Sequence, residues 1–219
     1  PLGEETGIIL DIGEIVLREA CQQMMEWRSR DIEIARVTVN VSARQLQQED
    51  FVSRVSRILE ETGVPPKLVQ LEITEGAVLK NVEHAIAMLK ELREMGMGIA
   101  LDDFGTGYSS LTYLKRFPVD AVKIDRSFVR DLDHDANDAT IVSTVIAMAA
   151  NLGLRVIAEG VETPQQLEFL RARRCAEYQG YLFSRPLPPE EFVELVRAAS
   201  LANSANGAKT KGGKALPAA

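Results

Sequence analysis

The sequence predicts a parallel α/β fold, on three observations. Short segments rich in β-branched residues alternate with longer segments of helical periodicity. The strand segments are apolar along most of their length, as in parallel sheets that helices cover. Polar side chains stand where the strand segments end, and the carboxyl ends of parallel strands are where α/β barrels hold their active sites. We therefore expect a catalytic α/β domain.

The predicted order contains six strands and seven helices. The strands are predicted at Ala35–Val41, Val69–Thr74, Gly98–Asp102, Ala121–Asp125, Leu154–Glu159 and Cys175–Gly180. The helices are predicted at Asp11–Arg28, Gln48–Glu61, Val82–Met95, Ser109–Arg116, Ala136–Asn151, Pro164–Arg173 and Pro189–Ala199. Residues 1–199 are expected to form one domain. Residues 200–219 lack apolar periodicity and are expected to be a disordered tail.

The composition argues against several classes of function. A net charge of −7 disfavours general binding to nucleic acid or to an anionic membrane. A small anionic ligand is compatible with this charge, since bound metal ions can reverse the local field. No apolar segment of the sequence approaches the about 20 residues of a membrane helix. The two cysteines have apolar neighbours, which predicts free buried thiols and a cytoplasmic location.

Polar residues end or follow every predicted strand. In chain order they are Asn40 and Ser42, Glu72 and Glu75, Asp102 and Asp103, Lys123 and Asp125, Glu159 and Glu162, and Gln179. The carboxyl ends of the strands gather on one face of a parallel barrel, so these side chains are expected to converge. One such acid alone is as well explained as a solvated loop residue. The whole set indicates a site.

The adjacent carboxylates of Asp102 and Asp103 point to bound cations, because each would raise the pKa of the other unless a cation stood between them. With Glu72, Glu159 and the amide of Asn40 they form an oxygen-rich set that suits Mg²⁺ or Mn²⁺ better than zinc. Two such ions can activate water and stabilise the leaving oxygen of a phosphoryl displacement. The set therefore predicts metal-dependent phosphoryl chemistry.

Lys123 lies inside an otherwise apolar strand, between Val122 and Ile124. An unpaired lysine in that position would be costly. Strand alternation places Asp125 on the same face, so one interpretation is a structural ion pair between Lys123 and Asp125. The other interpretation is that Lys123 contacts an attacking water molecule or a phosphate. The sequence leaves both open.

With these residues in view, the sequence resembles the EAL family of cyclic di-GMP phosphodiesterases from Pro1 to about Pro188. The resemblance rests on seven motifs in order: Glu4-Glu5-Thr6-Gly7, Asn40-Val41-Ser42-Ala43-Arg44-Gln45, Leu71-Glu72-Ile73-Thr74-Glu75, Asp102-Asp103-Phe104-Gly105-Thr106-Gly107-Tyr108-Ser109-Ser110-Leu111, Val122-Lys123-Ile124-Asp125-Arg126-Ser127-Phe128, Ala158-Glu159-Gly160-Val161-Glu162-Thr163 and Gln179-Gly180-Tyr181-Leu182-Phe183-Ser184-Arg185-Pro186. It implies an EAL-type, TIM-like (β/α) barrel that hydrolyses cyclic di-GMP to linear pGpG with Mg²⁺ or Mn²⁺.

The resemblance also implies a role for each matched residue. The ligands of a first metal would be Asn40, Glu72 and Asp102, and those of a second would be Asp102, Asp103 and Glu159. The water-activating residues would be Lys123 and, assisting it, Gln179. Glu75 would steady the loop from Asp103 to Ser110. The residues on the substrate side would be Ser42, Asp125 and Glu162.

One departure concerns the Glu-Ala-Leu segment that gives the family its name. Its glutamate and the first strand or strands of the barrel are expected upstream of residue 1, so this chain by itself is expected to be a poor enzyme. Two alternatives to the hydrolase are a catalytically silent receptor or scaffold for cyclic di-GMP and a barrel enzyme for another phosphate ester. A homodimer and upstream cyclase or sensory domains are expectations drawn from the family.

Overall fold

The computed structural model describes residues 7–106 and 111–206 of the chain. Within them, six parallel strands form one sheet in which spatial order follows sequence order. The strands are β1 (Val37–Val41), β2 (Val69–Thr74), β3 (Gly98–Phe104), β4 (Ala121–Ile124), β5 (Arg155–Ala158) and β6 (Glu177–Tyr178). All six predicted strands are confirmed, although β6 is only two residues long.

Nine α-helices lie within the described ranges. They are α1 (Ile8–Ser29), α2 (Phe51–Thr62), α3 (Glu75–Leu79), α4 (Val82–Glu94), α5 (Leu111–Leu114), α6 (Arg126–Arg130), α7 (Ala136–Asn151), α8 (Pro164–Ala172) and α9 (Pro189–Asn206). The sequence did not predict α3 and α6, because helices of five residues are too short to show an apolar period. The start of the helix predicted at Ser109–Arg116 falls outside the described residues.

The last helix extends further than predicted. It was expected to end at Ala199, but α9 continues to Asn206, so the first part of the expected tail is helical. Leucine and alanine are strong helix formers, and two alanines and one leucine occur in this stretch. The expectation of disorder for residues 207–219 lies outside the described residues.

Helices cover the sheet and bury its central strands. Most residues of β2, β3 and β4 are buried, and the fully buried side chains include Leu71, Ile73, Ile99, Leu101 and Ile124. This accounts for the continuous apolar character of the strand segments, because helices on a parallel sheet remove its side chains from water. Within the described residues, no helix has the length and apolarity needed to cross a bilayer.

The sheet curls so that the helix before β1 meets the helix after β6. The rings of Trp27 in α1 and Phe192 in α9 lie 5.2 Å apart. Two guanidinium nitrogens of Arg30 each donate to a carboxylate oxygen of Glu190 at 3.1 Å. A six-stranded parallel sheet that curls in this way is part of a TIM-like barrel, and its carboxyl ends surround one site.

Candidate active site

The polar residues at the carboxyl ends of the strands come together because the sheet is staggered. Asn40 in β1 pairs directly with Glu72 in β2. Asp102, however, lies two positions beyond the β3 residue that pairs with Glu72. Glu159 likewise lies two positions beyond the β5 residue that pairs with Lys123. Such a stagger accompanies the tilt of barrel strands, and it keeps these side chains at one level although their strands are offset.

Lys123 lies at the centre of this site. Its ammonium nitrogen is 2.5 Å from an oxygen of Glu72, 3.2 Å from one of Asp102 and 2.5 Å from one of Glu159. The lysine side chain is only 3% exposed. Two carboxylates from β2 and β3 and a third from the loop after β5 therefore surround one buried cation. These acids are the partners of Lys123, so the ion pair with Asp125 is wrong. A contact of Lys123 with an attacking water molecule or a phosphate stays a prediction.

The electrostatics of the site follow from burial and from an excess of acid. Burial raises the pKa of Glu72 and of Glu159, and the nearby ammonium of Lys123 only partly offsets it. Burial by itself would lower the pKa of Lys123, but the carboxylates of Glu72 and Glu159 outweigh it and raise that pKa. Lys123 is therefore held in its charged form, and the acids outnumber it.

Asp102 and Asp103 reach the site through a β-bulge. Leu101 pairs with Val122 and Phe104 with Ile124, so β3 carries one residue more than β4 across this stretch. Neighbouring side chains of a regular strand point to opposite faces, and a bulge relaxes that alternation. Asp103 has a left-handed φ of 54°, and its backbone N–H donates to Asp102 Oδ1 at 2.9 Å.

Asp103 and Gln179 border the central cluster on either side. Burial raises the pKa of Asp103, and the charges of Asp102 and Asp125 raise it further. Gln179, which follows β6, donates from Nε2 to Glu159 Oε1 at 2.9 Å. The structure thus brings Glu72, Asp102, Lys123, Glu159 and Gln179 into direct contact, with Asp103 beside them.

All three residues expected at the substrate side have local structural contacts. Ser42 donates from its hydroxyl to Gln45 Oε1 at 2.8 Å. Asp125 caps α6 by accepting from the backbone N–H of Ser127 at 2.9 Å. Burial opposes ionisation of Asp125, but the hydrogen bonds from Ser127 outweigh it and lower its pKa. Glu162 is exposed in the loop after β5. Roles in substrate binding stay predictions for all three.

Asn40 and Glu75 complete the predicted set. Asn40 is exposed near the end of β1, in register with Glu72. Glu75 is buried, 7% exposed, at the first position of α3 directly after β2. Part of the loop that Glu75 is expected to steady, residues 107–110, lies outside the described residues.

Gln166 is a structural partner of the site that the sequence reasoning missed. Its side-chain oxygen accepts from the backbone N–H groups of Glu162 and Thr163, at 2.8 and 3.0 Å, and its Nε2 donates to the carbonyl of Arg130 at 3.2 Å. It therefore ties the loop that carries Glu159 to the end of α6. The signal was present, because Thr163 and Gln166 form a capping box at the start of α8.

The donor chemistry of the site fits a divalent metal ion. Four carboxylates face one ammonium group, and hard oxygen ligands are the ones that Mg²⁺ and Mn²⁺ prefer. Among the described residues, no group of three or more His, Cys, Asp or Glu side chains is spaced to hold a metal directly. The ammonium of Lys123 lies between three of the acids, at distances where a cation would lie. The metal ligands stay a prediction.

The fold and the site together define a parallel α/β domain of the TIM-barrel type with an acidic centre at its carboxyl end. The chain belongs to the EAL domain family, which matches residues 1–186. It is 46% identical, over 197 residues, to the cyclic di-GMP phosphodiesterase NbdA of Pseudomonas aeruginosa, covering 90% of this chain and 25% of NbdA. The chain spans about a quarter of the length of the curated relatives it matches.

The solved structures similar to the chain include two complexes with cyclic di-GMP. The PaMucR phosphodiesterase in complex with c-di-GMP has a TM-score of 0.85 at 44% identity, over 88% of this chain and 78% of that one. Klebsiella pneumoniae BlrP1 in complex with manganese and cyclic di-GMP has a TM-score of 0.71 at 32% identity, over 81% of this chain and 44% of that one. These structures confirm the predicted fold and the predicted family.

Proposed function

We propose that this domain is a cyclic di-GMP phosphodiesterase that depends on divalent metal ions and produces linear pGpG. The observation that carries the proposal is the convergence of Glu72, Asp102 and Glu159 on the buried ammonium of Lys123. The acids lie at the carboxyl ends of parallel strands, where TIM-type barrels carry out their chemistry. The substrate is inferred from NbdA, whose name is that of a cyclic di-GMP phosphodiesterase, and from the PaMucR complex.

The metal ions in this proposal are Mg²⁺ or Mn²⁺, and two of them. Asn40, Glu72 and Asp102 hold one ion, and Asp102, Asp103 and Glu159 hold the other. The donor set supports this, because its carboxylates exceed the charge of the single lysine between them. When bound, such ions lower the pKa of a water molecule and stabilise the leaving oxygen of a displacement. The manganese complex of BlrP1 supports the choice of ion.

The side chains of the domain bind and orient the reacting groups during hydrolysis. A water oxygen forms a bond to one phosphorus, the bond from that phosphorus to the 3′ oxygen breaks, and a proton goes to the leaving oxygen. Lys123 donates hydrogen bonds to the water or to the phosphate from a position that burial and three acids hold in place. Gln179 orients Glu159 through their 2.9 Å hydrogen bond. Ser42, Asp125 and Glu162 contact the nucleotide, and Glu75 steadies the loop after Asp103.

The domain acts in the cytoplasm in this proposal. Both cysteines are buried and neither forms a disulfide, as expected in a reducing compartment.

The decisive experiment is hydrolysis of cyclic di-GMP by the purified protein, with Mn²⁺ and separately with EDTA, followed by chromatography of the nucleotides. We expect pGpG in the presence of Mn²⁺ and none with EDTA. Tight binding of cyclic di-GMP without any product would favour the silent receptor instead. Hydrolysis of a simple phosphodiester with no turnover of cyclic di-GMP would favour an enzyme for another phosphate ester.

A further inference from the structure

The backbone that follows the bulge of β3 is held in a tight turn. Thr106 donates to the carbonyl of Asp103 twice, from its backbone N–H at 3.3 Å and from its hydroxyl at 2.9 Å. Gly105 within the turn has a φ of 97°, and Asp103 at its start has a φ of 54°. An aspartate tolerates the left-handed region better than most residues, yet the conformation still costs free energy. Contacts of the turn with its surroundings must therefore offset the cost of this conformation of Asp103.

The ring of Phe128 lies directly against this turn. A Cβ atom placed on Gly105 would be 3.3 Å from Cε2 and 3.7 Å from Cζ of Phe128, so a side chain at this position would crowd the ring. Phe128 belongs to α6, is partly buried and packs against the hydrophobic core. The start of α6 is fixed in turn by the cap that Asp125 provides. The ring therefore restricts movement of the turn towards α6.

The backbone conformation of Asp103 gives this contact a role. Asp103 keeps a left-handed φ of 54°, and its N–H donates to Asp102 Oδ1 at 2.9 Å. Relaxation of that φ would displace the turn that follows Asp103. The contact between Gly105 and Phe128 limits such a displacement, because Phe128 packs against the core.

We infer that Phe128 is a positioning residue, which keeps the carboxylate of Asp103 where it holds a metal ion through the contact of its ring with Gly105. The inference rests on the proposed function, because it takes Asp103 as a metal ligand. Phe128 itself touches neither substrate nor metal. Residues that orient metal ligands without binding the metal typically change its affinity by about 10- to 100-fold when they are replaced.

The test is calorimetric titration of the intact protein with Mn²⁺ alone, without nucleotide. We expect Phe128→Ala to weaken Mn²⁺ binding about 10-fold. Phe128→Tyr keeps the ring and is expected to bind Mn²⁺ like the wild type. Phe128→Leu keeps most of the apolar volume but not the flat ring, so its Mn²⁺ affinity should lie between those of Phe128→Ala and Phe128→Tyr. If Phe128→Ala does not fold, the test uses Phe128→Leu. The matched control is Val129→Ala, which empties a fully buried position of the same helix.

A second measurement separates positioning from general damage. Raising Mn²⁺ to saturation should restore most of the turnover of Phe128→Ala, because only the affinity for the ion is impaired. Val129→Ala should lower the melting temperature while leaving Mn²⁺ binding unchanged. Wild-type Mn²⁺ affinity in both Phe128→Ala and Phe128→Leu, in a protein whose wild type hydrolyses cyclic di-GMP, would overturn the inference alone. Equal weakening by Val129→Ala would also overturn it. A wild type that neither binds Mn²⁺ nor turns over would overturn the proposed function as well.

Discussion

Lys123 Nζ lies 2.5 Å from Glu159 Oε1, although the residue of β5 that pairs with Lys123 is Ile157. The contact therefore spans an offset of two residues between neighbouring strands. It exists because the sheet is staggered and curled, so that side chains from different register positions meet at its carboxyl end. The same lysine contacts Glu72 and Asp102, which makes it the link between β2, β3 and the loop after β5.

Replacing Lys123 by methionine should destabilise the protein and disable it. Methionine has a similar length but leaves three carboxylates, two of them buried, without their ammonium, and breaking a buried ion pair costs about 3 kcal/mol. Urea unfolding in EDTA measures that loss. Mn²⁺ should stabilise the variant more than the wild type, because the ion then faces the acids without competition.

The control for this prediction is Lys90→Met, at an exposed position of α4. It should leave both unfolding and turnover unchanged. If Lys123→Met also unfolds at the wild-type urea concentration and hydrolyses cyclic di-GMP normally, the lysine has neither role.

Asp102→Asn should abolish hydrolysis and preserve the fold. Asparagine keeps the shape of the side chain and can still accept the hydrogen bond from the N–H of Asp103. It removes the one carboxylate that we assign to both metal ions. Mn²⁺ affinity should therefore fall by more than about 100-fold, which exceeds the effect of replacing a residue that only orients a metal ligand. Circular dichroism checks the fold and calorimetry checks the metal. Normal turnover at saturating Mg²⁺ would refute the assignment.

Gly180→Ala should displace Gln179 from Glu159. A Cβ atom at Gly180 would lie 2.3 Å from both the backbone N and the backbone O of Val161, and main-chain atoms cannot move aside as a side chain can. We expect destabilisation of about 1–3 kcal/mol and a lower kcat. Gly76→Ala is the matched control, since nothing lies within 4 Å of its Cβ position inside α3, and it should be neutral or stabilising. Equal stability and kcat in both variants would contradict the prediction.

The two cysteines should be unreactive in the folded protein. Burial raises the pKa of Cys21 and of Cys175 from 9.0 to about 11, so at pH 8 both are thiols and not nucleophilic thiolates. Ellman's reagent should modify them rapidly only after denaturation. Fast labelling of either thiol in the native protein would contradict the burial that the structure assigns to it.

The same shifts predict how stability depends on alkaline pH. Between pH 9 and about 11 the thiols ionise in the unfolded chain but not in the folded one, so the contribution is complete below pH 9 and is lost as pH rises. Each thiol accounts for at most about 3 kcal/mol, from two pKa units at 1.36 kcal/mol each. A Cys21→Ala, Cys175→Ala double variant should show a shallower fall of the melting temperature from pH 8 to pH 10. An identical slope would count against the shifts.

The sequence by itself determined the parallel α/β class, the six strands and the strand ends that carry the site. It did so because burial makes each strand continuously apolar, so that a polar residue such as Glu72 or Lys123 stands out. The seven motifs predicted the EAL family, and the family matches residues 1–186. These are local signals, and each can be read within a few residues.

Only the tertiary structure decided how those residues meet. Simple alternation allows an ion pair between Lys123 and Asp125, but β4 ends at Ile124 and Asp125 caps the next helix instead. Asp102 and Asp103 share the site through a bulge whose signal appears only in the pairing of β3 with β4. The three partners of Lys123 depend on stagger and curl, which are properties of the whole sheet. Register between strands arises from contacts distant in sequence, and a local pattern does not contain it.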